Sequence, residues 1–187
     1  MKKCEVEIEG TSPLLMNKYN IQQELDRQKG KRITKTYDSK EEAEKSAYAS
    51  KDGKHLIIPP LVLYASILNA SSFHKINRRS AKSILAGSIR IEPEEIILLD
   101  TKGKPLKNYE IDIRPVVIQR ARVLKSRALI RNWKAKFTIV YNEKLIGNPE
   151  IIEKVLEEAG MRIGIMDFRP AKSGFYGTFK INSFVGE

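Results

Sequence analysis

The stretch Arg131–Tyr141 constrains the fold more than any other part of the chain. Trp133, Ala135, Phe137, Ile139 and Tyr141 have one parity, and Lys134, Lys136 and Thr138 have the other. Strict alternation places every second side chain on the same side of a strand. The chain must therefore build a sheet with an apolar face that another layer covers. Residues 3–9 repeat the pattern, with Cys4, Val6 and Ile8 against Glu5, Glu7 and Glu9. Gly10-Thr11-Ser12-Pro13 ends that strand, and Leu14 to Met16 form an apolar patch beyond it.

Two helices are available as the covering layer. Leu61, Leu63/Tyr64, Ile67/Leu68 and Ser71/Ser72 fall at helical spacing, so the pattern predicts a helix over 60–75 that starts on proline. Asn148-Pro149-Glu150 opens a second, with Ile151/Ile152, Val155/Leu156 and Ala159 as its stripe, ending at Gly160 or Gly164. Further strands are expected at 56–58, 89–91, 96–99, 109–118 and 177–184, and 78–86 reads as a short helix or a loop. An antiparallel sheet with two main helices on one face is an α+β arrangement. Its order suits a ferredoxin-like, modified RNA-recognition-motif core. Residues 17–54 are polar and read as an insertion within this single domain of 187 residues. Ser39-Lys40-Glu41-Glu42 predicts a capping box there, opening a short helix through Tyr48.

Charge supplies the functional reading. Lys and Arg total 34 against 23 Asp and Glu, a net charge of +11. The excess is segregated. No acid lies between Ile113 and Asn142, where Arg114, Arg120, Arg122, Lys125, Arg127, Arg131, Lys134 and Lys136 stand. No acid lies between Gly53 and Ile91 either, where Lys54, Lys75, Arg78, Arg79, Lys82 and Arg90 stand. Such segregation predicts a basic face that tracks phosphates and an acidic face that could meet a neighbouring copy. Arg120, Arg122, Lys125 and Arg127 are expected at the tip of a basic hairpin within 109–141, made by 109–119 and 131–141. Trp133, Phe137 and Tyr141 are expected in the core, and Tyr19, Tyr37 and Tyr48 are candidates for stacking on bases.

Other classes are narrowed by what is missing. A single cysteine, Cys4, excludes an intrachain disulfide, and with His55 and His74 alone a zinc site lacks ligands at usable spacing. No metal or cofactor is expected. Without a signal-like or membrane-length apolar run, the expectation is a cytoplasmic protein with no membrane partner. Catalysis would rest on His55 or His74 as general acid or base, or on Asp26, Asp38 or Asp52 acting on a 2′-hydroxyl. None has a partner visible in the sequence.

Two segments carry a family resemblance. Asp52-Gly53-Lys54-His55-Leu56-Ile57-Ile58-Pro59-Pro60, followed by a helix with Ser66 and Ala70, resembles a DG…IP…S block. Leu156 to Gly160, Ile163-Gly164-Ile165 and Ser173-Gly174-Phe175-Tyr176-Gly177-Thr178-Phe179 resemble a glycine-rich LG…GIGG…SRGYG loop. Together with Ile8 to Leu15, these are similar to the RAMP superfamily, the repeat-associated RNA-binding proteins of CRISPR effector complexes. The match departs from the family at Ile165, where the glycine pair is reduced to Gly164, and at Ser173-Gly174, which lacks the intervening arginine.

The resemblance implies a thumb-like insertion at 17–54, and RNA lying between the first helix and the glycine-rich loop. It further implies a non-catalytic subunit of the backbone branch that polymerises head to tail along the strand, a homo-oligomer or filament with other effector subunits as possible partners. Arg169 and Lys172 join the expected phosphate contacts, and Gly164, Gly174 and Gly177 would let backbone approach phosphates closely. Two alternatives stay open: a metal-independent endoribonuclease of the same superfamily, and a virus-type single-stranded DNA-binding or annealing protein. RNA is favoured over DNA.

Overall fold

The alternating segments pair with each other at the centre of the main sheet. In the computed structural model, which describes residues 1–19, 21, 25, 28, 29, 37–118 and 120–186, β1 (Lys2–Gly10) lies in the middle of that sheet. Short β2 (Leu14–Leu15), α1 (Ser39–Ser46) and β3 (Ile57–Ile58) follow, then α2 (Pro60–Ala70). Next come β4 (Lys75–Ile76), β5 (Arg79–Ser80), α3 (Ala81–Leu85), β6 (Ile89–Glu92) and β7 (Ile96–Leu99). The second half holds β8 (Glu110–Ile118), β9 (Ala121–Ile130) and β10 (Lys134–Tyr141). It closes with α4 (Glu143–Ile146), α5 (Glu150–Glu158) and β11 (Phe179–Gly186).

β1 pairs antiparallel with β10, setting Val6 opposite Phe137 and Ile8 opposite Ala135. β11 borders β1 on the far side, and β6 and β7 share the other edge of β10, with β3 beyond β7. The strand order β11-β1-β10-β6, with α2 between β1 and β6 in the chain and α5 between β10 and β11, is compatible with a ferredoxin-like core. Cys4, Val6, Ile8, Ala135, Phe137, Ile139 and Tyr141 are buried in one cluster with Leu63, Ile67 and Ala70 of α2 and Ile152, Val155 and Leu156 of α5. Truncating a ring such as Phe137 in that layer would cost about 3–5 kcal/mol. Gly10 is required by the same packing, because a Cβ there would come within 2.2 Å of Trp133 Nε1.

Several expected boundaries move. α1 is capped by Asp38, whose carboxylate accepts from the Lys40 and Glu41 amides at 2.8 and 3.3 Å, and it ends at Ser46 rather than Tyr48. α2 stops at Ala70 and passes into a 3₁₀ turn, Ser71–Phe73. The stretch expected to be a helix or loop from 78 instead contains the small β4–β5 hairpin, and helix begins only at Ala81. Asn77 and Arg78 turn that hairpin with φ of 48° and 68°, the left-handed pair that a two-residue hairpin loop demands. α5 runs on through a wider turn, Ala159–Ile163, and ends at Gly164, φ 69°.

The largest correction concerns the basic hairpin. Residues 121–130 are not the tip of a hairpin between 109–119 and 131–141. They form β9, which pairs with β8 from Ile118↔Ala121 down to Glu110↔Leu129. Arg120, φ 68°, sits in the tight turn, and Arg131 marks the bend where the chain leaves this second sheet for β10. β2 joins β9 on its other side. Within the expected insertion, Asp26 lies outside the described residues.

Candidate nucleic-acid interface

The glycine-rich segment following α5 is folded against α2. Ser66 Oγ donates to the Gly164 carbonyl at 2.9 Å, in the buried seam between them. Beyond this seam a cleft of about 340 Å³ opens, lined by Leu61, Val62, Ala65 and Ser66 on one wall and Met166, Asp167 and Arg169 on the other. Tyr48 and Asn17 close one side. Burial, with the Asp167 carboxylate as a smaller influence, pushes the Tyr48 phenol above its ordinary pKa.

The three candidate glycines serve the protein's own backbone. A Cβ on Gly177, φ 67°, would lie 1.9 Å from the Ile165 carbonyl oxygen, and one on Gly174 would lie 1.9 Å from that of Phe168. At Gly164 it would meet the Pro170 ring at 2.8 Å. The absent side chains make room for tight turns of the segment upon itself.

Beside this segment stands a buried ion network. Arg127, 7% exposed, donates to Asp167 at 2.9 Å and to Asp112 at 3.5 Å. Arg114 donates to Asp112 at 2.7 Å and to the Tyr176 hydroxyl, and its guanidinium lies 5.3 Å from the Tyr176 ring centre. The hydrogen bond to Asp112 chiefly holds the Arg114 pKa above its ordinary value. This network ties the β8–β9 hairpin to the glycine-rich segment. Arg127, expected among the phosphate contacts, is instead found buried within this network. Arg131 is paired as well, through two hydrogen bonds to Glu110 at 3.0 and 2.9 Å, and Lys134 approaches Glu7 at 4.0 Å on the main sheet.

The other basic candidates are differently placed. Arg120 and Arg122 at the hairpin end, Lys172 beside the cleft, and Lys75, Arg78, Arg79 and Lys82 around the β4–β5 finger are exposed. Lys125 and Arg169 are half-buried. None of these nine has an ion pair among the described residues; Arg169 donates to the Met166 carbonyl at 2.7 Å. The network draws the hairpin and the cleft together. The finger stands beyond the C-terminal end of α2, a helix of 11 residues about 16 Å long whose N-terminal half lines the cleft.

The catalytic candidates do not converge. His55 precedes β3 and His74 follows α2, with His55 Nδ1 and His74 Nε2 buried without hydrogen-bond partners among the described residues. Asp38 is occupied as a helix cap. Among the described residues no group of three or more His, Cys, Asp and Glu could hold a metal ion, and no helix is long and apolar enough to cross a membrane.

Reading the sequence for stacking aromatics finds the core rings correctly, since Trp133, Phe137 and Tyr141 are buried. Tyr19 and Tyr37 are exposed, and Tyr37 shares a hydrogen bond with Ser126. What it misses are Phe168 and Phe175, exposed on the glycine-rich segment, and Phe73, exposed beneath the Arg162 guanidinium at 4.1 Å. The adjacent pair Phe175-Tyr176 was the available signal, read there only as part of a motif.

Neither a protein-family profile nor a curated sequence matches this chain. Among solved structures it is similar to a chain from a cryo-electron microscopy structure of the type III-B Cmr-beta complex bound to cognate target RNA. The TM-score is 0.55 at 11% identity, and the alignment covers 99% of this chain and 60% of that one. At that identity the likeness is one of fold, and this chain spans less than two thirds of the other's length.

Proposed function

We propose that this protein binds single-stranded nucleic acid, RNA in preference to DNA, as a non-catalytic subunit that lies along the strand. One observation carries the reading: nine basic side chains without acidic partners among the described residues stand at the hairpin end, the cleft and the finger. Phosphates are the partner that such groups fit, because each neutralised phosphate releases condensed counterions. The fold likeness to a chain of an RNA-bound Cmr assembly supports RNA as the strand and other subunits as neighbours. Repetition along the strand, as in the backbone of a CRISPR effector, extends the same proposal. So does a modified RNA-recognition-motif identity for the core.

The test is binding of a labelled oligouridylate and an oligodeoxythymidylate across a salt series. The logarithm of affinity should fall linearly with the logarithm of salt, by about 0.7 per phosphate contacted on a single strand. RNA should bind more tightly, since only RNA offers a 2′-hydroxyl. Nuclease protection of a long strand should leave fragments at a fixed step. A flat salt series would remove the reading, and equal affinity for both strands would remove the preference.

A further inference from the structure

We infer that Phe175, braced edge-on by Phe168 at an interplanar angle of 74°, is a stacking platform for an unpaired nucleobase beside the cleft. The inference rests on the nucleic-acid reading above and specifies a contact that phosphate binding alone does not require.

Three rings are grouped at this point. Phe175 and Tyr176 have centres 4.6 Å apart, Phe168 and Phe175 5.4 Å, and Phe168 and Tyr176 5.9 Å. They grade from buried to open. Tyr176 is 5% exposed and packs with Leu15 and Leu129 in a small core of its own, Phe168 is 37% exposed, and Phe175 is 60% exposed. The cluster therefore has a fixed root and an open top.

The backbone that presents it is unusual. Met166, Phe168 and Ser173 have φ of 65°, 49° and 57°, a region that side chains other than Gly, Asn and Asp rarely enter. The conformation is held from several sides. Asp167 N donates to the Leu15 carbonyl at 3.0 Å, Tyr176 N to the Phe168 carbonyl at 3.0 Å, and Gly177 N to the Pro13 carbonyl at 2.8 Å. Strained backbone that its surroundings over-determine gathers at ligand-holding sites. The Phe168 ring is partly buried against Phe175 and Tyr176, which fixes it in this backbone conformation.

The surroundings select the occupant. Arg169 and Lys172, neither ion-paired among the described residues, belong to the same segment as the two rings. A flat apolar ring on a segment that also carries two cations suits a nucleotide, with its base on the ring and its phosphate at a cation. An apolar protein surface would gain nothing from those two charges and would desolvate them.

The experiment compares the whole chain with Phe175→Ala and Phe175→Trp. Anisotropy would be read with an oligouridylate and with an abasic strand of equal phosphate count. Phe175→Ala should weaken the base-bearing strand about tenfold, leaving the abasic strand and the salt slope unchanged. Phe175→Trp should restore affinity, and its indole emission should be quenched on binding, measured above the background of Trp133. Unchanged affinity in Phe175→Ala, with a steep salt slope in the wild type, overturns the platform and leaves the phosphate reading standing. No salt-dependent binding by the wild type removes both. If Phe175→Ala instead lowers self-association in sedimentation and strand binding is intact, the ring belongs to a protein interface and the inference fails. Should the alanine variant unfold, absence of quenching in the folded tryptophan variant overturns it equally.

Discussion

On the outer face of the main sheet, acids are paired with cations, mostly across neighbouring strands. Glu7 lies 3.0 Å from Lys136 and 4.0 Å from Lys134, Glu9 lies 3.5 Å from Lys180, and Arg90 lies 2.9 Å from Glu92. No ring stands among these outward residues of β1, β6, β10 and β11. Around the cleft the arrangement is reversed: Asp112 and Asp167 are taken up by arginines in the network, while among the described residues cations at the hairpin end, the cleft and the finger are left without acids. The familiar platform of an RNA-recognition fold is its open sheet, read by aromatic side chains. Here that face has no ring, and its five cations (Lys3, Arg90, Lys134, Lys136, Lys180) stand against four acids (Glu5, Glu7, Glu9, Glu92), whereas exposed rings and cations without acids among the described residues are found at the helix and glycine-rich side. Similar core topology thus leaves the location of a binding surface undecided until charges are followed to their partners.

The comparison breaks most visibly at Arg127. Its guanidinium is buried between Asp112 and Asp167, so removing it leaves carboxylates facing a cavity. Arg127→Ala should lower unfolding free energy by about 3–5 kcal/mol in a denaturant titration. At temperatures where it stays folded, its salt slope for strand binding should match the wild type. A reduced slope with intact stability would return Arg127 to the phosphate contacts.

A smaller effect is expected at the finger. Replacing Lys75, Arg78, Arg79 and Lys82 together by alanine removes exposed charges that hold nothing in the fold. Thermal stability should barely change, since surface substitutions usually stay within about 0.5 kcal/mol. Affinity at low salt should fall on the order of a hundredfold, with a shallower salt slope. If the slope is unchanged, the strand does not extend along α2 to the finger, and the cleft and hairpin alone form the surface.

What was legible in the sequence follows the range of the physics involved. The alternations of β1 and β10 and the stripe of α5 are local patterns, and they placed the sheet's centre and one covering helix. β9 was misread because Arg122, Lys125 and Arg127 interrupt any apolar period, and those charges suggested a loop. Arg122 stays open to solvent in the strand, Lys125 is half-buried, and Arg127 is neutralised by Asp167, 40 residues away. No local pattern announces such a pairing. The finger was missed because its strands have two residues each, too few to show a period; Asn77 at the turn was its only sign. Charge segregation was readable in the chain, but which cations keep their charge unpartnered depends on the folded contacts.

The smallest effect comes from the outer face, and pH isolates it. The Glu7 carboxyl is held below its ordinary value of 4.5, chiefly by the hydrogen bond from Lys136, with burial opposing. Glu9 is lowered mainly by its bond from Asn182. A carboxyl whose folded pKa is depressed binds fewer protons in the folded state than in the unfolded state over that interval. Its contribution is complete above the unfolded value and is lost as pH falls through the folded one. Stability measured by denaturant midpoint should therefore fall below pH 4.5, and Glu7→Gln should make that fall shallower while leaving strand binding at neutral pH within about twofold. The same substitution adds one net positive charge to the outer face. If a strand lay on that face, the loss of a repelling carboxylate would strengthen binding and steepen the salt slope. Unchanged slope in Glu7→Gln, beside a reduced slope in the finger variant, would place the strand on the helix side of the molecule.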